Sequence, residues 1–135
     1  MWTDMFFSLL SDGICDVHGM WASFAVFLGS PDEGLLIHRT LHAAVPSLSF
    51  RPTSERAEFS AVATGLAWMK SNRLLQGRAV HVYSDRQAVV ETLTAMRKNT
   101  LAAFPNGLSK LICLPDNLTV FWYPGSKMKA SVLGH

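Results

Sequence analysis

The apolar positions along this chain follow two patterns, which change over near Pro52. Before it, apolar residues come in short runs broken by turn formers. Met5–Ser11 is an apolar run closed by Asp12-Gly13, which predicts a buried strand ending in a turn. Met20–Leu28, rich in Trp, Phe and Val, predicts a second strand, and Gly29-Ser30-Pro31-Asp32-Glu33-Gly34 punctuates it as a hairpin loop. Leu35–Ala44 returns as a third strand, ended by Pro46. Three consecutive strands joined by short turns predict an antiparallel meander.

After Pro52 the period becomes helical. Thr53 and Ser54 are natural N-caps, Glu55 sits in the first turn where the helix dipole favours an acid, and Val62, Leu66 and Met69 recur at helical spacing. These residues predict a helix over Ser54–Ser71. Ala79–Ser84, with Val80 and Val82 alternating with His81 and Tyr83, predicts a strand. Asp85 opens a helix over Arg86–Arg97, carried by Ala88, Val89, Leu93 and Met96. A further helix is expected within Asn99–Leu111, interrupted near Pro105-Asn106-Gly107. Leu118–Tyr123 is the last strand, stopped by Pro124-Gly125; Trp122 is expected to pack it against the sheet, leaving Pro124-Gly125-Ser126 as a turn beyond it. Strand–helix–strand units return parallel, so the expected architecture is α/β with a mixed five-stranded sheet, three antiparallel strands followed by parallel ones, flanked by helices.

Composition narrows the picture only in part. A chain of 135 residues without repeats or linkers fits one domain, residues 1–135. It is 49% hydrophobic and only 16% charged, against about 25% charged in ordinary soluble domains, so some of its surface is expected to lie under a partner or under more chain. The formal charge of +2 allows a nucleic-acid ligand without singling one out. Cys15 and Cys113 are too few for a disulfide framework and lack zinc-site spacing, which points to a reducing, intracellular compartment such as cytoplasm or nucleus. No apolar run approaches the roughly 18 residues of a membrane span, so no membrane role is expected. Met1–Leu10 carries Asp4 where a signal peptide would be basic.

Glu58 is the most informative residue. At about 100° per residue it shares a face with Val62, Gly65, Leu66 and Met69, the face that must cover the sheet. A carboxylate there is costly unless it is paired or bound to metal. Pairing with Arg56 or a favourable first-turn position is the plainer alternative, although Glu55 already holds the better dipole position. Asp12 and Asp85 each follow an apolar strand directly, and parallel neighbouring strands would bring both to the carboxyl end of the sheet, where open α/β sheets place their sites. Each alone could be a turn former or cap. Three carboxylates together repel one another and stay ionised only with cations present, and hard oxygen ligands favour Mg2+ or Mn2+. His18, His38, His42 and His81 lack the spacing of a metal helix, and Ser11, Ser84 and His81 form no readable triad.

These residues carry a family resemblance. Ser11-Asp12-Gly13 after a strand, Thr53-Ser54-Glu55-Arg56-Ala57-Glu58 opening a helix, and Tyr83-Ser84-Asp85-Arg86-Gln87 followed by Val89-Val90 resemble the ribonuclease H family. Trp21-Ala22, Ala25-Val26 and Trp122-Tyr123-Pro124-Gly125 extend the likeness over nearly the whole chain. It implies a ribonuclease H-like fold, of a type also found in reverse transcriptases and retroelements. It also implies metal-dependent endonucleolytic hydrolysis of the RNA strand of RNA–DNA hybrids. Asp12, Glu58 and Asp85 match the family's first three catalytic, metal-binding carboxylates, Gln87 matches a residue contacting the substrate backbone, and a two-metal site with Mg2+ or Mn2+ follows. Ser54 and Lys127 are further candidates for substrate contact, with Lys129 near the mouth of the site.

The departures from the family are specific. Cys15-Asp16-Val17-His18-Gly19 replaces a glycine-rich segment, Ser54 and Glu55 stand where asparagines are frequent, and Ser126 follows Gly125 in place of a histidine. The family's fourth carboxylate lies on a final helix, about where this chain stops at His135. Either His135 supplies a ligand or that final helix is lacking. Two functions therefore stand: the nuclease, or a non-catalytic ribonuclease H-like module that is structural or binds nucleic acid within a larger replicative or retroelement protein of polymerase type. The three acids favour the first, the missing fourth ligand and the apolar composition the second.

Overall fold

The computed structural model describes residues 5–45, 53–97, 115 and 117–134. The helix expected within Asn99–Leu111, and also Cys113 and His135, lie outside them. Strands β1 (Phe6–Asp16), β2 (Gly19–Leu28) and β3 (Leu35–Val45) are followed by helix α1 (Ser54–Ser71), β4 (Ala79–Ser84), α2 (Gln87–Arg97), β5 (Leu118–Trp122) and α3 (Gly125–Leu133). The sheet order is β3-β2-β1-β4-β5. β1 pairs antiparallel with β2, and β2 with β3, while β1–β4 and β4–β5 are parallel. The antiparallel meander and the parallel crossovers expected from the sequence are both present.

Alternation divides the core. Phe7, Leu9, Phe24, Val26, Val80 and Val82 face α1 and α2, where they meet Phe59, Val62, Leu66, Met69, Val89 and Leu93. Leu10, Ala25 and Phe27 point to the other face and pack with Tyr123 and with Met128 and Val132 of α3. Gly29–Gly34 turns between β2 and β3 as expected. At the β2–β3 bulge His42 takes φ of 51°, and its N–H donates to Ser23 Oγ at 3.0 Å.

Three local expectations are corrected. Asp12-Gly13 is not a turn: it pairs with Ser23 and Ala22, β1 runs on to Asp16, and the turn falls at Val17-His18. Extended pairing with β2 outweighs the turn preference of Asp-Gly. Pro124-Gly125-Ser126 is not a turn beyond the last strand either, because Pro124 is the N-cap of α3 and residues 125–126 are helical. A helix therefore follows β5, and it carries no acidic residue. Trp122, expected to pack against the sheet, is half-exposed, and its ring N–H donates to the Asp85 carbonyl at 3.2 Å.

Candidate metal centre

Parallel pairing of β1 and β4 runs as far as Leu10 opposite Tyr83, so Asp12 and Asp85, two residues further along each chain, emerge side by side at the carboxyl end of the sheet. Glu58 reaches them from α1. Thr53 caps that helix, its hydroxyl accepting the Arg56 N–H at 3.1 Å, which fixes where the helix starts and hence where its first turns point. The approach is very close. A Cβ on Gly13 would overlap the backbone carbonyl of Ala57 and sit 2.5 Å from the Glu58 nitrogen, so glycine at this position is what lets α1 lie against β1.

One carboxylate oxygen from each of Asp12, Glu58 and Asp85 lies within 4.8 Å of the other two. Asp12 and Asp85 are half-buried, whereas Glu58 is only 4% exposed and its Oε2 has no hydrogen-bond partner. Burial, followed by the Asp12 and Asp85 charges and a hydrogen bond shared with Asp12, pushes the Glu58 carboxyl up to about 8, against a smaller opposing effect of the Gly13 N–H. Burial and then the Asp85 charge raise Asp12 too, while the hydrogen bond from Glu58 and the charges of Lys129 and Arg86 oppose the rise. Without a cation, Glu58 therefore keeps its proton at neutral pH and shares it with Asp12.

The chemistry of this donor set fits a hard divalent cation. Three carboxylates converge, one of them buried beyond reach of water and with an oxygen left unsatisfied, which is the condition a cation relieves. Among the described residues no other group of His, Cys, Asp and Glu comes together this way.

The remaining candidates sort by position. Gln87 is exposed at the first residue of α2, its amide donating to Glu91 at 3.4 Å. Ser54 is exposed at the first residue of α1, with the capping done by Thr53. Lys127 and Lys129 are both exposed and flank the stripe of buried Met128 and Val132 on either side of α3, the charge of Lys129 being felt at Asp12. His18, His38, His42 and His81 join no metal cluster; His38 stacks on Trp68 at 4.0 Å and His81 on Phe6 at 4.2 Å. Two contributors were not anticipated from the sequence, Gly13 as a packing element and Arg86 as a local charge. The signal for Arg86 was its place directly after Asp85; for Gly13 there was none short of the helix that covers it.

Five strands in the order β3-β2-β1-β4-β5, antiparallel then parallel, with three acids at the end of the β1–β4 pair, define a ribonuclease H fold. Solved structures agree. LC11-RNase H1 from compost, in complex with an RNA/DNA hybrid, matches over 90% of this chain and 87% of its own at 15% identity and a TM-score of 0.62. RNase H1 of the halophilic archaeon Halobacterium salinarum matches over 91% of this chain and 89% of its own at 16% identity and a TM-score of 0.61. The prototype foamy virus protease-reverse transcriptase matches over 96% of this chain and 19% of its own at 12% identity and a TM-score of 0.53. No family model and no curated protein matches the sequence.

Proposed function

We propose that the chain is a metal-dependent nuclease that hydrolyses the RNA strand of RNA–DNA hybrids. The observation that carries this reading is Glu58: a carboxyl on an apolar helix face, almost fully buried, with one oxygen unsatisfied and two further carboxylates within 4.8 Å. A fold needs no such group for its stability, and its retention is explained by a cation that it holds together with Asp12 and Asp85. Mg2+ or Mn2+ bound there would supply stabilisation of charge on the scissile phosphodiester and a more acidic water. The chain's own contribution is to fix the three carboxylates on two parallel strands and one capped helix. It also sets positive charge, Arg86 and Lys129, beside a site that must accept a phosphate. Gln87 and Ser54, each exposed at the start of a helix, would donate to substrate backbone oxygens. The fold-level likeness to a hybrid-bound RNase H1 supports the choice of substrate.

A specific observation keeps a second reading open, a non-catalytic module of a larger polymerase-type protein. Edge strand β3 exposes Leu35 at 68%, with Leu36, Ile37 and Leu41 also exposed, an apolar row that suits coverage by another domain. Among the described residues no helix is long and apolar enough to cross a membrane.

The two readings separate in one assay. End-labelled RNA–DNA hybrid, double-stranded RNA and double-stranded DNA are incubated with the protein and Mn2+ or Mg2+. Cleavage confined to the RNA strand of the hybrid, and more active with Mn2+, is expected. No cleavage with either ion, under conditions where Mn2+ is shown to bind, would leave the module.

A further inference from the structure

Cys15-Asp16-Val17-His18-Gly19, which departs from the glycine-rich pattern of the family, closes a β1–β2 hairpin that runs on past the metal centre. Alternation puts Leu10, Asp12, Ile14 and Asp16 on one face of β1, and the register sets Ala25, Ser23 and Trp21 of β2 beside the first three. Helix α3 packs on that face at Leu10, Ala25 and Phe27 and reaches β3 at Arg39, whose guanidinium donates to the Ser131 carbonyl at 2.9 Å. Beyond Asp12 the face is open, with Ile14 38% exposed. A cleft of about 350 Å3 lies there, lined by Ile14, Asp16, Trp21 and His42. It begins one strand repeat, roughly 7 Å, beyond Asp12. Two of its walls are held in place. Asp16 Oδ1 accepts the His18 N–H at 2.7 Å, which fixes the carboxylate. His42 keeps a left-handed backbone, φ of 51°, that residues with a side chain rarely adopt, and its N–H donates to Ser23 Oγ at 3.0 Å.

We infer that this cleft binds one unpaired base of the RNA strand, stacked on Trp21, where that strand runs on from the metal centre beyond its pairing with DNA. The inference rests on the proposed function and deepens it, since the substrate becomes a hybrid that continues into single-stranded RNA. Charge selects the part of the nucleotide that enters. The Asp16 carboxylate repels phosphate, so the backbone stays outside and the base goes in. A carboxylate can only accept hydrogen bonds, and the pairing edge of a base carries N–H groups to donate. The indole of Trp21 is a platform on which any base can stack, with Ile14 and His42 as its borders. A base has a free face for such stacking only once it has left the duplex, which is why the occupant is unpaired. Continuity with the carboxylates then fixes the strand: the cleft shares its face with Asp12, so it receives the nucleotide next to the one being cleaved.

The test is fluorescence anisotropy of the full chain without divalent metal, so that nothing is cleaved. The probes are a short blunt RNA–DNA hybrid and the same hybrid with a single-stranded RNA extension at one end or the other. The parent should bind one of the extended hybrids about tenfold more tightly than the blunt one. That gain should vanish when the extension lacks its bases. It should vanish also in Trp21→Leu, which stays apolar but cannot stack, and persist in Trp21→Phe, which keeps a ring. His42→Gly should reduce the gain while the urea midpoint stays level or rises, because glycine takes a φ of 51° without strain. Equal affinity for blunt and extended hybrids, an extension without bases that binds as well as a natural one, or an undiminished gain in W21L would each overturn the inference. Cleavage of the blunt hybrid with Mn2+ reports on the nuclease separately: a parent that cleaves it yet gains nothing from an extension sinks this inference alone. Failure to bind any hybrid would remove the proposed function as well.

Discussion

Glu58→Gln isolates the cost of the buried acid. In the folded, metal-free protein the Glu58 carboxyl is pushed up to about 8, against 4.5 for an unperturbed glutamic acid. The folded state thus binds more protons than the unfolded state between those values, and stability must fall as pH rises through that window. The contribution is fully present below about 4.5 and lost by about 8. At 1.36 kcal/mol per pH unit, keeping Glu58 protonated at pH 7 costs about 3 kcal/mol relative to an unfolded chain in which it is ionised. Glutamine has nearly the same shape and does not titrate, so E58Q should recover up to about that amount at pH 7 and almost nothing at pH 4.5. Urea unfolding of both proteins at pH 5, 6, 7 and 8 without divalent metal measures it: the parent's midpoint should decline with pH while the variant's stays flatter. The same proton should leave when metal binds. Calorimetry of Mn2+ binding at pH 7, in buffers of different ionisation enthalpy, should show release of about 0.9 proton per ion, falling towards zero above pH 9. A parent protein whose stability is level or rising from pH 5 to 8, or metal binding without proton release, would refute this account of Glu58.

Asp12→Asn and Asp85→Asn should each abolish Mn2+ binding in the calorimeter, yet leave the metal-free urea midpoint unchanged or higher, because each removes one member of a repelling cluster. A variant that binds Mn2+ as well as the parent would remove that residue from the ligand set. Gly13→Ala should destabilise by at least about 1–3 kcal/mol in the same urea experiment, since the added methyl meets the Ala57 backbone and no flexible side chain can yield. It should also weaken Mn2+ binding, because Glu58 can then no longer lie against Asp12.

The one-dimensional pattern made the large elements and the three carboxylates legible. The helix over Ser54–Ser71 and the strand over Ala79–Ser84 were legible because their apolar periods, 3.6 and 2, arise from local geometry alone. Glu58 could be placed on the buried face by the same arithmetic. An acid among Val62, Leu66 and Met69 is anomalous before any fold is known. Asp12 and Asp85 were legible as strand ends, and their adjacency followed from the parallel return of a strand–helix–strand unit.

What stayed hidden was set by contacts between distant segments. Asp12-Gly13 carries a strong local turn signal, yet its conformation is decided by pairing with Ser23 and Ala22 and by α1 lying across Gly13, and a local reading contains neither. The last helix was missed because Pro124-Gly125 looks like a stop, and only the burial of Met128 and Val132 against Leu10 and Phe27 makes nine weakly amphipathic residues helical. That docking separates Lys129 from Lys127 as well. Two lysines two residues apart are equivalent in sequence and both are exposed, but once the helix is pinned by its apolar stripe they lie on either side of it, and it is the charge of Lys129 that is felt at Asp12. A side chain's electrostatic role depends on which charges lie within a few ångströms, and that distance is a property of the packed fold.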